Sequence, residues 1–321
     1  MSLLKKRIER SWESAEIVSK KTGENPYKLF CEIIYNWFRW GASEEDFMTM
    51  EFYRLNSREK RRWLTSKKNN RYLPKKLYNP LVIETFDNKA VFDKKFSEYM
   101  SHEVMIANEH TLEEILNFAE KHKEVIIKPA RGCLGYGVNK YKYNEEGKKN
   151  IVERISSKKE LIVEEVIKQH PDMALLNPHS VNTIRVITMI DKKGEIHILS
   201  TLVKFGVGVA CTSNTLTGGL CAHIDPVLGK IDTPAHSQYG EKFTVHPESG
   251  LFLLGFQIPN WNGLLEFAKK LATVMPEARY IGWDIVITEN GYDVIEGNIH
   301  PAQEFQTGDG IGRWKEMKSY I

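Results

Sequence analysis

The stretch 280-YIGWDIVITENGYDVIEGNIHPAQEF-305 decides how the rest of the chain is interpreted. It predicts two short β-strands, WDIVIT and YDVIEGN, joined by a turn over Glu289-Asn290-Gly291, because Asn-Gly between two β-rich runs is typical of a hairpin. Side chains alternate across a strand, so Glu296 and Asn298 share one face, and Asp284 on the neighbouring strand can face them. Two carboxylates and an amide oxygen are ligands that hold Mg²⁺ against substrate phosphates. Taken alone, the stretch fits a solvated hairpin with a polar open face equally well.

Length and composition are those of an ordinary globular protein. The chain has 321 residues, a length that is enough for two or three domains. Of these residues, 41% are hydrophobic and 27% are charged, as in ordinary soluble proteins. A net charge of +3 suits anionic small molecules but is too weak to indicate a nucleic-acid partner. The four cysteines have no paired spacing, so neither a metal site nor a disulfide framework is expected. The first residues lack an apolar signal region and no window approaches a membrane span, so we expect a cytoplasmic protein.

Hydrophobic periodicity changes near residue 85. Upstream, apolar side chains recur at helical spacing and helix starts are predicted at Ser43 and Ser57. The basic run 58–71 is interpreted as a solvated helix face, with a phosphate or nucleic-acid patch as the alternative. Downstream, strands alternate with helices and the second half is rich in β-structure. Helices are predicted over 89–101 and 111–122, and strands over 124–128, 160–167, 181–190 and 195–205.

A glycine-rich segment, 125-VIIKPARGCLGYGV-138, is the second candidate site. A strand ends in Lys128, and Gly132, Gly135 and Gly137 follow within a few residues. Glycines let backbone amides approach an anion closely, and the lysine supplies positive charge for phosphates. The lysine precedes the glycines, so this is not a Walker A motif. A plain turn is the alternative interpretation.

Two further segments carry candidate binding groups. In 161-LIVEEVIKQHPDM-173, a strand ending in two acids can present backbone groups to an adenine edge, with Asp172 close enough for ribose hydroxyls; a strand running into an exposed loop is the alternative. Arg185 lies within an otherwise apolar strand and needs a partner. A phosphate or a carboxylate bound in bidentate fashion by its guanidinium is the usual partner. A structural ion pair is the competing explanation, and Lys204 raises the same question.

The order of these segments resembles that of the ATP-grasp superfamily. Lys89 comes first, followed by the strand with Lys128 and its glycine loop, a Glu-Glu-Val sequence, an arginine within a strand, and the closing Asp…Glu-x-Asn hairpin. The resemblance covers about residues 86–308, and the hairpin is its most specific part. Together with the helical N-terminal segment, the spacing across 161–189 resembles most closely the sugar-transfer-associated ATP-grasp proteins, which are found with surface-polysaccharide biosynthesis.

The resemblance implies an α+β fold in which two α+β subdomains clasp ATP. A mainly helical region, 1–85, would precede an N-terminal subdomain with the glycine-rich loop, 86–160, and a C-terminal subdomain with the magnesium site, 161–321. Two features depart from the superfamily pattern. A helical region stands in place of the usual Rossmann-like domain, so the acceptor site cannot be carried over. The sequence after Asn298 lacks the usual Asn-Pro-x-Pro continuation, which leaves His300 and Gln306 facing the acceptor or merely ending the hairpin.

The resemblance also implies roles for the candidate residues. Lysines and loop glycines would bind ATP phosphates, and the Glu-Glu-Val segment with Asp172 would bind adenine and ribose. That ATP-binding set is Lys89, Lys128, Gly132, Gly135, Gly137, Glu164, Glu165, Val166 and Asp172. Arg185 and Lys204 would stabilise the transferred phosphoryl group or the substrate carboxylate. The Mg²⁺ ligands would be Asp284, Glu296 and Asn298.

The implied activity is that of an ATP-dependent carboxylate–amine ligase. A substrate carboxylate would attack the γ-phosphate to give ADP and an acylphosphate, and an amine would then displace phosphate. The partners would be a small carboxylate and an amine, amino-acid or sugar-linked, with no nucleic acid. A kinase acting on a sugar or metabolite hydroxyl is an alternative, as is a non-catalytic nucleotide-binding subunit of a glycosyltransferase assembly. A dinucleotide-binding dehydrogenase is disfavoured, because the loop runs G-x-x-G-x-G and follows a lysine.

Overall fold

Two antiparallel β-sheets, one of four strands and one of seven, form the framework of the protein. The computed structural model describes residues 3–132, 136–157, 159–208, 218–237, 241–301, 306 and 310–321. Within these ranges, no helix is both long enough and apolar enough to cross a membrane.

The N-terminal region is helical, as its periodicity predicts. Its helices are α1 Leu3–Thr22, α2 Pro26–Trp40, α3 Glu44–Thr49, α4 Ser57–Lys60 and α5 Leu73–Leu77, with a 3₁₀ turn at Phe52–Arg54 and a π-helical turn at Lys68–Tyr72. The predicted start at Ser43 is confirmed, since Ser43 and Asp46 form a reciprocal capping box. The next helix is capped by Asn56 with Glu59, one residue before the predicted Ser57. Apolar residues from α1, α2 and α3 form a separate core around Phe47 and Trp63.

The four-stranded sheet has the order β1-β4-β2-β3, with β1 Val104–Ile106, β2 Glu124–Pro129, β3 Asn139–Lys142 and β4 Leu161–Glu165. Helices α8 Leu112–His122 and α9 Glu145–Ile155 pack on one face of it, against Val125, Ile127 and Val163. Because side chains alternate along a strand, Lys128 and Glu164 lie on the opposite face. The pairing places β4 with this sheet, although the predicted subdomain boundary at 160/161 assigns it to the following region; that boundary stays a prediction.

The seven-stranded sheet has the order β11-β10-β5-β6-β7-β8-β9. Its strands are β5 Thr183–Ile190, β6 Ile196–Phe205, β7 Leu220–His223, β8 Ala235–His236, β9 Lys242–Phe243, β10 Tyr280–Thr288 and β11 Gly291–Asn298. One face packs in the largest core against α6 Pro80–Asp87, α7 Lys89–Phe96 and α11 Trp261–Val274. Phe86 and Phe96 meet Trp283 edge-on there. The predicted boundary near residue 85 falls inside α6, so the helix carries the chain across it without a break.

The opposite face of this sheet is shared between polar side chains and the N-terminal region. Leu64, Leu73 and Leu77 pack there against Ile187 and Tyr280. A short helix, α10 Pro171–Ala174, precedes β5, and the last helix, α12 Trp314–Tyr320, adds Met317 to the same cluster. Short 3₁₀ turns at Ser97–Tyr99 and Ala107–Glu109 complete the regular structure described.

The predicted hairpin is confirmed, with a bulge that the sequence does not indicate. β10 and β11 pair around the turn at Glu289-Asn290, and Asp284 lies directly opposite Glu296. The register then shifts, so that Ile285 faces Val294 and Val286 faces Asp293. The extra residue in β11 reverses the alternation. Asp293 therefore lies on the same face as Glu296, although their odd spacing would place them on opposite faces of a regular strand.

Candidate active site

Three charged residues form a row across adjacent strands of the seven-stranded sheet. Arg185 on β5 lies opposite Asp284 on β10, which lies opposite Glu296 on β11. The Arg185 guanidinium donates Nε–H to Asp284 Oδ1 at 2.5 Å and Nη2–H to Oδ2 at 2.7 Å. Both residues are buried. The row therefore brings the predicted catalytic arginine and two of the predicted magnesium ligands into one connected group.

Lys204 extends the row on β6. Its Nζ lies 3.9 Å from Asp284 Oδ1, and the lysine is 9% exposed. Burial by itself would raise the pKa of Asp284, but the charges of Arg185 and Lys204 outweigh burial and lower that pKa to about 2. Asp284 is thus a fixed anion between two cations, and the structure shows the ion pair that is the competing explanation for Arg185.

Asn298 is oriented by its neighbours in the hairpin. Its Nδ2 donates to Glu296 Oε1 at 3.2 Å and to the Gly282 carbonyl at 3.5 Å. These bonds use the amide nitrogen, so the oxygen is the atom that the residue would offer to a cation. Glu296 and Asn298 are half-buried. The predicted arrangement of two carboxylates and an amide oxygen on one face is present.

Lys128 forms a buried ion pair on the face of the four-stranded sheet opposite α8 and α9. Its Nζ lies 2.5 Å from Glu164 Oε1, and the side chains are 6% and 8% exposed. Burial alone would lower the pKa of Lys128, but the charges of Glu164 and Asp93 outweigh it and raise that pKa. Lys128 is therefore held as a cation. The Glu164 side chain faces the lysine, while its backbone pairs with both β1 and β2.

Asp93 is a buried carboxylate that sequence reasoning missed. It lies on α7 and is 5% exposed, and neither of its oxygens accepts a hydrogen bond from the part of the chain that the structure describes. Burial is the main cause that raises its pKa to about 7, against the opposing charge of Lys128. Its position one turn after Lys89 was the available signal, since residues four apart share a helix face.

His102 links the two sheets and was also missed. Its Nδ1 lies 2.9 Å from both oxygens of Asp293, whose Oδ2 also accepts from the His102 amide at 3.0 Å and the Ser101 hydroxyl at 2.6 Å. On its other side, Nε2 lies 3.8 Å from Glu164 Oε1. His102, Asp293 and Glu164 are all buried. No sequence motif contains these three residues, so spacing alone could not have found them.

The remaining predicted ATP-binding residues fall into two groups. Lys89 donates its Nζ–H to the Gly132 carbonyl at 2.7 Å, so the first lysine and the glycine loop meet. Gly132 and Gly137 have positive φ values of 138° and 76°, which L side chains rarely adopt. Gly135 lies outside the described residues.

The predicted adenine and ribose contacts lie near the end of β4. The Glu165 amide already donates to the Glu103 carbonyl at 3.0 Å, so its backbone donor is engaged within the sheet. Val166 follows β4 and is half-buried. The Asp172 carboxylate is exposed beside His170, with Oδ2 3.7 Å from Nδ1. Whether these three residues contact a nucleotide stays a prediction.

The unassigned Gln306 binds the N-terminal region. Its Oε1 accepts from the Leu64 amide at 2.8 Å and the Arg313 amide at 2.9 Å, while its Nε2 donates to the Leu64 carbonyl at 2.9 Å. Nearby, Asn69 Nδ2 donates to the Pro301 carbonyl at 2.7 Å. Of the two alternatives for Gln306, the contacts described are those of a residue that anchors the segment after β11. His300 directly follows the hairpin and is exposed, and whether it faces an acceptor stays a prediction.

Several solved structures of ATP-grasp enzymes are similar to part of this chain. They include the ATP-grasp ligase PsnB with minimal precursor, Mg and ADP (14% identity, TM-score 0.42), which matches over 74% of this chain and 57% of that one. An ADP complex of purK, N5-carboxyaminoimidazole ribonucleotide synthetase, matches at 13% identity and TM-score 0.45 over 74% and 54%. D-alanyl-alanine synthetase A from Vibrio cholerae O1 biovar eltor matches at 11% and 0.44 over 71% and 61%. The chain thus spans a little over half the length of these proteins.

A model of one protein family matches most of the chain. It is described as sugar-transfer associated ATP-grasp, and it covers residues 67–319, which include both sheets and every predicted site residue. No curated protein matches the sequence. The helical region before residue 67 precedes the match, in agreement with the predicted order of regions. The α+β architecture and the family match together show that the chain belongs to the sugar-transfer associated ATP-grasp family.

Proposed function

We propose that this protein is an ATP-dependent carboxylate–amine ligase that forms an acylphosphate and releases ADP. We place it in the cytoplasm, in the biosynthesis of cell-surface polysaccharide or a related metabolite. The single observation that carries the proposal is the row of Arg185, Asp284 and Glu296 across adjacent strands, with Asn298 and Lys204 beside it. Two carboxylates beside two cations on one face of a sheet suit the binding of a metal–phosphate group and a carboxylate.

The donor set fits Mg²⁺. Glu296 and Asn298 would supply oxygens directly, since the Asn298 amide nitrogen is already bonded to Glu296 and Gly282. Asp284 would share its carboxylate between the metal and Arg185, because an ionised carboxylate has about four acceptor positions. When bound, Mg²⁺ would neutralise charge that develops on the phosphates.

Nucleotide binding would use the face of the four-stranded sheet that carries Lys128 and Glu164. Lys128 is a buried cation there, and Lys89 lies against the glycine loop. Both are suited to binding ATP phosphates. Glu165, Val166 and Asp172, near the end of β4, would contact adenine and ribose. Arg185 and Lys204 would hold the substrate carboxylate and the γ-phosphoryl oxygens in line. Positioning and charge neutralisation would supply most of the catalysis, with no protein nucleophile.

The proposal is tested by assaying ADP and hydroxamate together. Purified protein is incubated with Mg-ATP, hydroxylamine and a pool of amino acids and uronic acids, because hydroxylamine traps an acylphosphate as a hydroxamate. We expect ADP and hydroxamate in equal amounts. ADP accompanied by a phosphorylated hydroxyl compound and no hydroxamate would show a kinase and overturn the proposal.

Glu296→Gln and Glu289→Gln form a matched pair for this assay. The first removes the charge of a predicted magnesium ligand on β11, and the second makes the same change at an exposed position in the turn of the same hairpin. Loss of transition-state charge stabilisation of this kind lowers rates by about 100-fold or more. We expect that loss for Glu296→Gln and wild-type rates for Glu289→Gln. Equal rates for both variants would remove Glu296 from the site.

A further inference from the structure

We propose that His102 is a positioning residue: a protonated imidazole between Asp293 and Glu164 that fixes Glu164, and through it Lys128, relative to the hairpin bearing Asp284 and Glu296. The inference rests on the proposed function, because it gives the Lys128 ammonium a task in binding nucleotide. It concerns a bridge between the two sheets, and His102 itself need not touch the nucleotide.

The contacts form one continuous chain from sheet to sheet. Asp293 belongs to β11 of the seven-stranded sheet, and it binds His102 through the ring and the backbone amide, with oxygens at 2.9 and 3.0 Å. Glu164 belongs to β4 of the four-stranded sheet, where its Oε1 lies 3.8 Å from His102 Nε2 and 2.5 Å from Lys128 Nζ. The segment before β1 therefore carries the only side chain, among the residues described, seen to contact both carboxylates.

The bulge in the hairpin makes this bridge possible. It brings Asp293 to the face that carries Asp284 and Glu296, where an unbulged strand would turn it away. The proposed magnesium ligands and Asp293, the anchor of the bridge, thus belong to the same β-hairpin. A shift of this hairpin would be transmitted through Asp293 and His102 to Glu164.

The carboxylates beside His102 favour its protonated form. Asp293 from β11 and Glu164 from β4 contact the ring, and Asp93 from α7 interacts with it electrostatically. Lys128 from β2 lies on the other side of Glu164, and the Ser101 hydroxyl donates to Asp293. Burial would lower the pKa of His102, but its hydrogen bond to Asp293 and the negative charges of Asp293 and Glu164 outweigh burial and raise that pKa to about 9. A neutral imidazole would leave Glu164 with Lys128 as its one cationic partner and weaken the link to Asp293.

Lys128 lies at the end of this chain of contacts. Glu164 holds the ammonium at 2.5 Å on one side, and Asp93 contributes a buried carboxylate nearby. If Glu164 loses its second cation, its carboxylate draws more strongly on Lys128, and the ammonium is less available to a phosphate. We therefore expect His102 to affect nucleotide affinity in particular, in the same direction as loss of Lys128 but to a smaller extent.

The test is isothermal titration calorimetry of Mg-ADP binding to the 321-residue protein, from pH 6.5 to 9.5. The variants are His102→Gln, which cannot carry charge, and Asp293→Asn, which retains the shape of the anchor. His197→Gln is the matched control, because His197 also pairs with a carboxylate, Asp191, at 3.0 Å, but does so at the far end of β5 from Arg185. Circular dichroism melts identify any variant that fails to fold, and either of the two test variants suffices.

We expect both test variants to weaken ADP binding about tenfold, the order that loss of one charge-assisted hydrogen bond produces. Wild-type affinity should fall as the pH rises through about 9, where His102 loses its proton, and this decline should be absent from His102→Gln. The control should behave as wild type in both respects. Wild-type affinity and an unchanged pH profile in a folded test variant would overturn the positioning role alone. Failure of the wild-type protein to bind Mg-ADP would overturn the proposed function and this inference together.

Discussion

At the scale of single residues, the buried ions of the site depend on one another. Arg185, Lys204 and Asp284 are each less than a tenth exposed, and the two cations meet at the single carboxylate. Breaking a buried pair leaves an uncompensated charge, which costs far more than loss of a surface pair. The same side chains that we propose for catalysis therefore also stabilise the centre of the seven-stranded sheet.

Asp284→Asn should lower the free energy of unfolding by about 3–5 kcal/mol, the usual cost of removing one partner of a buried ion pair. Urea denaturation at pH 7 measures the change. Asp191→Asn is the control. Asp191 lies in the turn after β5 and pairs with the half-buried His197. An asparagine there can still accept the two backbone N–H bonds that Asp191 accepts. A loss for Asp284→Asn no larger than that of the control would show that the Arg185 pair contributes little to stability.

At the scale of elements, local signals predict well where each helix and strand lies. The strand at 124–128 is observed as β2 Glu124–Pro129, and the helix predicted to open at Thr111 is capped there. Thr111 accepts from the Glu114 amide, and Glu114 accepts from the Thr111 amide. Such signals involve neighbours three or four residues apart, which a sequence displays directly.

Long-range features of the elements could not be predicted in this way. The bulge in β11 depends on packing across the hairpin, and β4 joins the four-stranded sheet through partners more than thirty residues away. Asp284, Glu296, Asn298 and Lys128 could be singled out as candidates because each belongs to a local motif. Asp93, His102 and Asp293 were missed because only tertiary folding assembles them.

Thr111→Ala should lower the free energy of unfolding by about 1 kcal/mol, because it removes the N-cap of α8. Glu113→Ala is the matched control: Glu113 lies in the same first turn and is exposed, and its effect should be a few tenths of a kcal/mol through the helix dipole alone. Chemical denaturation of both variants measures the difference. Since α8 packs on the face of the sheet away from Lys128, the affinity for Mg-ADP should not change in either variant. Equal destabilisation by the two substitutions would show that the capping box is not formed.

At the scale of the whole molecule, the N-terminal helical region packs on the face of the seven-stranded sheet that carries the row of Arg185, Asp284 and Glu296. Leu64 and Leu73 pack on Tyr280 and Ile187 of that sheet, and the Tyr78 hydroxyl donates to the Tyr280 carbonyl. Pro301, whose carbonyl accepts from Asn69, lies close to the Arg185 side chain as well: a Cβ added at Gly282 would be 3.0 Å from Arg185 and 3.2 Å from Pro301. The helical region thus packs against the sheet beside the row of Arg185, Asp284 and Glu296.

Gln306→Ala tests this junction. Gln306 is fully buried, and its removal takes away the side chain that binds the buried amide and carbonyl of Leu64. Buried backbone groups deprived of partners cost about 1–3 kcal/mol each, so we expect the free energy of unfolding to fall by at least about 2 kcal/mol. Hydrogen exchange should accelerate across residues 62–77 in particular, because this junction would open before the rest of the molecule.

Gln257→Ala provides the comparison for that exchange experiment. The Gln257 amide also bonds to backbone carbonyls, those of Leu228, Gly229 and Ile258, but these lie within one local loop network. We expect that variant to leave exchange across residues 62–77 at the wild-type rate. If Gln306→Ala does the same, the apolar contacts of Leu64 and Leu73 are sufficient to hold the two parts together. If exchange rises in Gln306→Ala alone, a single glutamine side chain controls how tightly the helical region packs on the seven-stranded sheet.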